Sequence, residues 1–254
     1  MRKLTVLLIL IILLALLGTL RSKFPGLAIF KPSSLFTGGA KADRGAGRVG
    51  EKIIYEVKLG KMYLGQSEFR HLKKTTLDGR PVNLVTFQTK ITNFSDLETI
   101  YSNADDYLPL RVERDIRNWF RREKIIEVYD QKNFTASITK HNGTSSGRKE
   151  EIQIKKDGPI QNAVLLPYYL RRIEKLRVGW NMKVDFPTQQ LLITLVSIET
   201  VEVPAGFFKA YYFESTPPKV KIWVSADDLR IPVKIEGNGL LSYAMSMKKY
   251  IYKE

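Results

Sequence analysis

Apolar and polar residues alternate with a period of two along much of this chain, and this alternation constrains its fold more than any other feature. Successive side chains of a β-strand point to opposite faces, so such a pattern predicts strands with one apolar face. The clearest case is the segment 51–59, in which the apolar residues Ile53, Tyr55, Val57 and Leu59 alternate with Lys52, Glu56 and Lys58. Similar segments recur around 82–90, 125–129, 134–139, 152–155, 195–203, 210–214, 220–224, 231–235 and 241–252. We expect a single, mainly β domain over 49–254, built as a curved antiparallel sheet of half-barrel or spiral type.

One segment departs from this alternation and predicts a short amphipathic helix over 167–176. Its apolar residues recur at three- and four-residue spacing, at Leu166, Leu170, Ile173 and Leu176. Pro167 suits the first turn of a helix, and Gly179 suits a position after its end. We expect the apolar stripe to lie on the sheet or to plug it, with Arg171 and Arg172 facing outward.

An internal similarity predicts two equivalent hairpins. Residues 100–113 parallel residues 222–236, and both stretches run from a strand through an Asp-Asp turn and a proline into a second strand. Asp side chains supply turn hydrogen bonds, and Pro is tolerated at the first residue of a strand. A third tight turn is predicted at 203–207. The residues assigned to these structural turns are Asp105, Asp106, Pro109, Pro204, Gly206, Asp227, Asp228 and Pro232.

The first residues of the chain predict a membrane address. An uncharged apolar run at 4–20 follows two basic residues, and it has about the minimum length for a helix that crosses a bilayer. The run fits a cleaved signal peptide or an uncleaved anchor, and we favour the anchor because no small-residue cleavage site follows directly. The predicted anchor spans 1–23, and its apolar positions include Leu4, Leu8, Ile12, Leu16 and Leu20. A Gly-, Ala- and Ser-rich tether follows at 24–48, and we expect the domain to lie in the periplasm.

The residue inventory leaves little room for catalysis or for a cofactor. The chain has no Cys, which excludes thiolate chemistry and disulfides, and its two His residues, His71 and His141, are predicted at the surface. The paired acids at 105–106 and 227–228 could in principle act as acid and base or hold a cation, but turn chemistry already accounts for them. We therefore expect no metal site, no cofactor and no enzyme. Hydrolysis with Asp105 or Asp227 as the acid is the remaining catalytic alternative.

Basic and aromatic residues interleave at 117–124, a combination that suits a lipid interface. The other reading of this segment is an ordinary hairpin tip between strands at 111–116 and 125–129. The net charge of +15 attracts polyanions, and behind an export signal lipid headgroups or envelope polymers fit it better than nucleic acid does. The residues assigned to headgroup or partner contact are Arg117, Trp119, Phe120, Arg121, Arg122, Arg171 and Arg172.

Several motifs resemble the bacterial DUF3108 family in their order and spacing. They are GEKIIYEV at 50–57, LGQS at 64–67, the Leu-Arg pair at 170–171, ETVEVPAGFFKA at 199–210 and WVSADDLRIPVKIE at 223–236. This resemblance implies an exported envelope protein of unassigned activity, and it carries no catalytic residues over to this chain. The repeated hairpin is also similar to hairpins of the LolA and LolB lipoprotein carriers, in which a curved sheet forms a half-barrel around an apolar cavity with a helical lid. That likeness is an analogy of fold only.

These observations together predict a non-catalytic binding protein that is tethered to the bacterial inner membrane. We expect it to hold an amphiphile, such as a lipid, an acyl chain or a glycolipid, in the concave apolar face of the sheet. The alternative is a scaffold that contacts cell-wall polymer or other envelope proteins through its basic face. Release into the periplasm after signal cleavage also stays open.

Overall fold

The computed structural model describes residues 48–142, 149–238 and 243–252, which form one long antiparallel sheet and one short helix. The strands are β1 (Glu51–Leu59), β2 (Met62–Leu77), β3 (Arg80–Ile91), β4 (Phe94–Asn103), β5 (Pro109–Arg117), β6 (Arg122–Asp130), β7 (Thr135–Asn142), β8 (Lys149–Lys155), β9 (Asn181–Asp185), β10 (Gln190–Val203), β11 (Gly206–Thr216), β12 (Val220–Ser225), β13 (Pro232–Gly237) and β14 (Tyr243–Tyr252). The helix α1 spans Leu166–Arg171. The prediction of a mainly β fold with a curved antiparallel sheet and a short helix is confirmed.

The predicted anchor at 1–23 and the tether up to residue 47 lie outside the described residues. Within the described ranges, no helix is long and apolar enough to cross a bilayer. The described chain starts at Arg48, whose guanidinium lies 5.3 Å from the centre of the Tyr252 ring. Residue 48 therefore stands beside the end of the last strand.

The sheet is open, because its two edge strands do not pair with each other. The strand order is β8-β7-β6-β5-β4-β3-β2-β1-β14-β13-β12-β11-β10-β9, so β1 and β14 join two meanders in the middle. The edges β8 and β9 are consecutive in sequence, and the segment 156–180 connects them. This segment carries α1, whose buried residues pack in one core with residues from both meanders. The connection between the edges thus fills the inside of the curved sheet.

The alternation in β1 is the one expected from its sequence. Ile53, Tyr55 and Val57 are buried, whereas Lys52, Glu56 and Lys58 are only partly covered. The pairing register shifts between Ile54 and Tyr55 on one side of β1 and after Val57 on the other. Such bulges increase the local twist of a strand, which helps this central strand to curve the sheet.

The helix is shorter than predicted, and all of it is buried. It ends at Arg171 instead of continuing to residue 176, and each of its six residues is buried. The expectation that Arg171 faces outward is therefore wrong, whereas Arg172 is exposed as expected. The difference has a physical reason: a charged residue on a short helix is expected in solvent unless a buried partner neutralises it, and the local sequence does not reveal that partner.

That partner is Glu51, the first residue of β1. The Nη1 and Nη2 atoms of Arg171 lie 2.6 and 2.8 Å from the two carboxylate oxygens of Glu51, and both side chains are at most 3% exposed. Burial alone would lower the pKa of Arg171, but the adjacent Glu51 carboxylate raises it above its ordinary value. The third nitrogen, Nε, donates to the carbonyl oxygen of Arg230 at 2.8 Å. Each nitrogen of the buried guanidinium therefore donates a hydrogen bond.

The two similar hairpin turns hold the helix from two sides. Tyr107 and Arg230 occupy equivalent positions two residues before a strand-starting proline, and both have positive φ, at 60° and 46°. The carbonyl of Tyr107 accepts a hydrogen bond from the Tyr169 hydroxyl at 3.2 Å, and the carbonyl of Arg230 accepts the bond from Arg171. Arg230 also donates from Nη1 to the carbonyl of Arg171 at 3.0 Å. The two turns of the internal repeat, at Tyr107 and at Arg230, thus both form hydrogen bonds with α1, and we call them the gripping turns.

Replacing Glu51 with Gln should strongly destabilise the fold. The substitution leaves the Arg171 charge buried without a counter-charge, and breaking a buried ion pair in this way costs about 3–5 kcal/mol. We expect a lower urea midpoint for E51Q by circular dichroism or tryptophan fluorescence. A double variant, E51Q with R171M, should recover most of the loss because no buried charge remains.

The matched control is E68Q, which removes a carboxylate from the partly exposed pair between Glu68 and Lys52 at 2.6 Å. Surface pairs of this kind contribute about 0–1 kcal/mol. An E51Q variant no less stable than E68Q would contradict the importance given to the buried pair.

Candidate functional site

The turn between β5 and β6 projects two large aromatic rings into solvent. Trp119 is 66% exposed and Phe120 is 83% exposed. The backbone of the turn does not need these rings, because the Asn118 side-chain oxygen accepts the N–H groups of Phe120 and Arg121 at 3.0 and 2.9 Å. The tip, residues 118–121, is therefore a locally capped turn that presents aromatic side chains. The reading of this segment as a hairpin between two strands agrees with the structure.

The tip lies at the end of the sheet opposite to the start of the described chain. Strands of an antiparallel meander reverse direction at each turn, so the tip lies at the same end of the sheet as the β1–β2 turn. Next to that turn, Met62 and Tyr63 are each 53% exposed. Arg48, α1 and the two gripping turns belong to the other end. Phe207, beside the β10–β11 turn at that other end, is 71% exposed and offers a comparison for Trp119.

The arginines beside the tip share one carboxylate. Arg117 and Arg122 both bind Asp115 through two nitrogens each, with Nη2 to Oδ2 distances of 2.8 and 2.7 Å. Hydrogen bonds from Arg117 and then from Arg122 hold the pKa of Asp115 well below its usual range. Arg121 forms a looser pair with Glu123 at 3.3 Å. Because one carboxylate pairs with two guanidiniums, Arg117, Arg122 and Asp115 together carry a net positive charge.

A second hairpin contributes residues that sequence reasoning missed. Lys90 of β3 faces Ser95 of β4, Ser95 faces Arg117 of β5, and Arg117 faces Arg122 of β6. These residues form a row across four strands, and Lys90, Ser95 and Arg117 of this row border a shallow recess of about 290 Å³. The recess is lined by Lys90, Thr92, Asn93, Phe94, Ser95, Arg117, Asn118 and Trp119. Only the strand register reveals this row, so no signal in the sequence pointed to Lys90 or Ser95.

Behind the tip, the inner face of the sheet carries a cluster of charged side chains. Arg114 binds Asp96 at 2.8 Å from Nε to Oδ1, and it lies 4.0 Å from Glu98. Burial raises the pKa of Glu98 to about 7, and the nearby charges of Glu127 and Asp96 act in the same direction. Arg114 and a hydrogen bond from Asn162 oppose this rise. Among the described residues, no group of three or more His, Cys, Asp and Glu is arranged to hold a metal ion.

At the other end, side chains of the protein itself fill the inner face of the sheet. Tyr168 of α1 stacks on Tyr107 with ring centres 5.1 Å apart, and the His71 ring meets both edge to face. His71 is buried, so its predicted place at the surface is wrong. The local sequence does not reveal that His71 faces inward, because this depends on how its strand is placed in the sheet. This part of the concave face is occupied by the chain itself.

The other predicted residues serve the turns and lie away from the tip. The Asp106 carboxylate accepts the N–H of Leu108 at 2.9 Å. Asp227 accepts hydrogen bonds from the Ser225 hydroxyl and from two backbone N–H groups. Asp105 and Asp228 are exposed beside them, Pro109 and Pro232 each start a strand, and Pro204 and Gly206 belong to the β10–β11 turn with Gly206 at φ 125°. Arg171 and Arg172 are at the helix, so the structure does not bring them to Arg117, Arg121 and Arg122.

The fold and these sites define an open, curved β-sheet protein that is plugged by its own helix. The chain belongs to the DUF3108 family, described as proteins of unknown function, which it matches over residues 54–240. The family resemblance noted from the sequence is thereby confirmed. No curated protein matches the chain.

Three solved structures are similar to this chain at 8–9% identity and over 81% of its length. One is a β-barrel-like protein of the DUF1849 domain from Brucella abortus, with a TM-score of 0.49 and 98% of that chain covered. The second is a candidate exported protein with a YmcC-like fold from Bacteroides fragilis, with a TM-score of 0.29 and 97% covered. The third is a candidate lipoprotein from Parabacteroides distasonis, with a TM-score of 0.28 and 97% covered. At these values none bears on the function of this chain.

The raised pKa of Glu98 predicts a pH dependence of stability. The folded state holds the proton of Glu98 up to about pH 7, whereas the ordinary pKa of a Glu side chain is 4.5. Stability should therefore fall as pH rises from 4.5 to 7, by about 3 kcal/mol in all, and stay low above that window. Glu98→Gln removes this penalty and keeps an acceptor for Asn162. In urea unfolding we expect the free energy of unfolding of E98Q to exceed that of the wild type by about 3 kcal/mol at pH 8 and by less than about 1 kcal/mol at pH 5.

The matched control is E113Q, on the outer face of the neighbouring strand β5, where Glu113 pairs with Arg111 at the surface. It should differ from the wild type by less than about 1 kcal/mol at both pH values. An equal gain for E98Q at pH 5 and pH 8 would show that ionisation of Glu98 is not its cause.

Proposed function

We propose that this protein is a non-catalytic component of the bacterial envelope that docks on a lipid interface through the tip at 118–121. One observation carries the proposal: two rings with exposures of 66% and 83% stand beside three arginines at the end of the sheet. The apolar run at 4–20 supports a location at the inner membrane, with the domain on the periplasmic side.

Each part of the tip matches a layer of the interface. A Trp ring has an apolar body and an N–H group, so it suits the boundary between acyl chains and headgroups. Phe120 can enter the apolar layer, and full burial of such a ring is worth about 1.5–3 kcal/mol. Arg117 and Arg122 can lay their carbon stems beside the apolar layer while their charges remain among the headgroups.

The tether length permits this orientation. With the tip on the bilayer, Arg48 stands at the other end of the strands, about nine residues or roughly 30 Å above the surface. A flexible segment of about 25 residues has a root-mean-square span of about 25–30 Å. The predicted tether at 24–48 therefore covers the distance between a membrane anchor and a domain that stands on its tip.

The tip is a better place for acyl contact than the concave face. Admission of an acyl chain beside β1 requires removal of α1, which breaks the buried pair between Arg171 and Glu51. Contact at the tip requires no such rearrangement. We also propose no hydrolytic role for Asp227, since one of its carboxylate oxygens serves the turn by accepting three hydrogen bonds.

The proposal can be tested on the full-length protein in liposomes that contain lipids with brominated acyl chains. Bromine quenches tryptophan emission only at close range, and the chain has three Trp residues. Of these, Trp119 is the exposed one at the tip, whereas Trp223 is buried. We expect quenching in the wild type that the W119F variant largely loses.

The control adds F207W to the W119F background, which moves an exposed Trp to the opposite end of the sheet. This variant should stay unquenched. Equal quenching at position 207 and position 119 would mean that the domain lies on the membrane without using the tip. No quenching at position 119 would contradict lipid docking and favour the scaffold alternative, in which the tip meets a protein or a cell-wall polymer.

A further inference from the structure

We propose that the recess beside the tip binds the phosphate group of an anionic lipid headgroup, between Lys90 and Arg117. The inference rests on the proposed function and deepens it, because it assigns a site and a class of ligand. Docking through the rings alone would not distinguish one lipid from another. The recess gives the tip a means to select a negatively charged one.

The strand register places the cationic groups at a spacing that suits one phosphate. Directly opposed residues of neighbouring antiparallel strands have Cβ atoms about 5 Å apart. Lys90 and Arg117 both face Ser95, so their Cβ atoms are about 10 Å apart with a hydroxyl between them. Both side chains are long enough to reach an anion above Ser95 from the two sides.

The charges around the recess are complementary to an anion. Among the described residues, the carboxylate that pairs with Arg117 is that of Asp115, and Arg117 shares it with Arg122. No acidic side chain in the described part of the chain pairs with Lys90. Asp115 takes N–H groups on Nε and Nη2 of Arg117, which leaves the Nη1 group to donate to a phosphate, and Lys binds phosphate as a point charge. Asp115 holds the Arg117 guanidinium in place, so less side-chain freedom is lost when the ligand binds.

Size and position favour a lipid headgroup over other anions. The recess of about 290 Å³ is shallow and open to solvent, and it has room for a phosphate with a small polar substituent. Asn93 and Asn118 line it with amide groups that can bind the hydroxyls of a glycerol headgroup. Trp119 forms one wall, so a lipid whose phosphate sits on Ser95 extends its acyl chains along the ring that we place at the interface.

The test uses full-length protein in an uncharged detergent, with the emission of Trp119 as the signal and W119F to identify it. The probes are dihexanoyl-phosphatidylglycerol, dihexanoyl-phosphatidylcholine and inorganic phosphate. We expect saturable binding of the phosphatidylglycerol and clearly weaker binding of the other two. The variants K90Q and R117Q should each weaken the binding of phosphatidylglycerol by about tenfold or more, since each removes a charged hydrogen-bond donor.

The matched control is K61Q, which removes the same charge from an exposed Lys at the same end of the sheet but outside the recess. It should leave the affinity within about twofold, because a single solvated charge at a distance is largely screened. An equal loss of affinity for phosphatidylglycerol in K61Q, K90Q and R117Q would mean that the lipid responds to the general positive charge and not to the recess. That result would overturn the proposal.

Three other results would also overturn it. Equal affinity for inorganic phosphate would mean a free-anion site, and equal affinity for phosphatidylcholine would mean that the recess does not select charge. Absence of binding would remove the site. None of these results depends on the quenching of Trp119 by brominated lipids, so the tip could still dock without the recess, and the recess could bind a headgroup even if the tip failed to insert.

Discussion

The buried ion pair between Arg171 and Glu51 is the interaction on which the rest of the structure depends. A sheet of fourteen strands with unpaired edges leaves its concave face open to water unless another part of the chain covers it. Here the connection between the two edge strands covers it, and the ion pair fixes where its helix lies. Removing two charges from water costs about as much as their attraction returns, so the pair mainly specifies position. The bond from Arg171 to the carbonyl of Arg230 adds the repeated turn to the same arrangement.

This arrangement separates the two ends of the sheet. One end holds the helix, the gripping turns and the apolar core around Tyr55 and Leu170. At the other end, the polar group around Glu98 and Arg114 lies behind a smaller apolar cluster of Phe94, Ile116, Ile125 and Ile138. The exposed aromatic rings and the cationic row lie at that second end, where hydrogen bonds of the helix do not reach. Changes at the tip therefore leave the interactions that hold the fold untouched.

Much of the fold could be predicted from the sequence, because strand periodicity depends only on which residues are apolar. The repeated hairpin was visible because an Asp-Asp turn followed by Pro is a local signal. What could not be predicted depends on distant pairing. Glu51 and Arg171 are 120 positions apart, and neither shows from its neighbours that it is buried. The inward position of His71 likewise depends on distant pairing, and Lys90 joins the tip only through the register of β3 on β4 and of β4 on β5.

The two aromatic rings of the tip are best explained by contact with another molecule, because the turn does not require aromatic residues. Asn118 satisfies the N–H groups of Phe120 and Arg121, so a tip with polar residues at positions 119 and 120 would close equally well. Two large rings in water promote association between copies of a protein, and folding gains nothing from them here. The neighbouring arginines add positive charge beside the rings and leave them exposed. A site that is independent of the fold, apolar at its tip and cationic at its base has the order of layers found in a lipid interface.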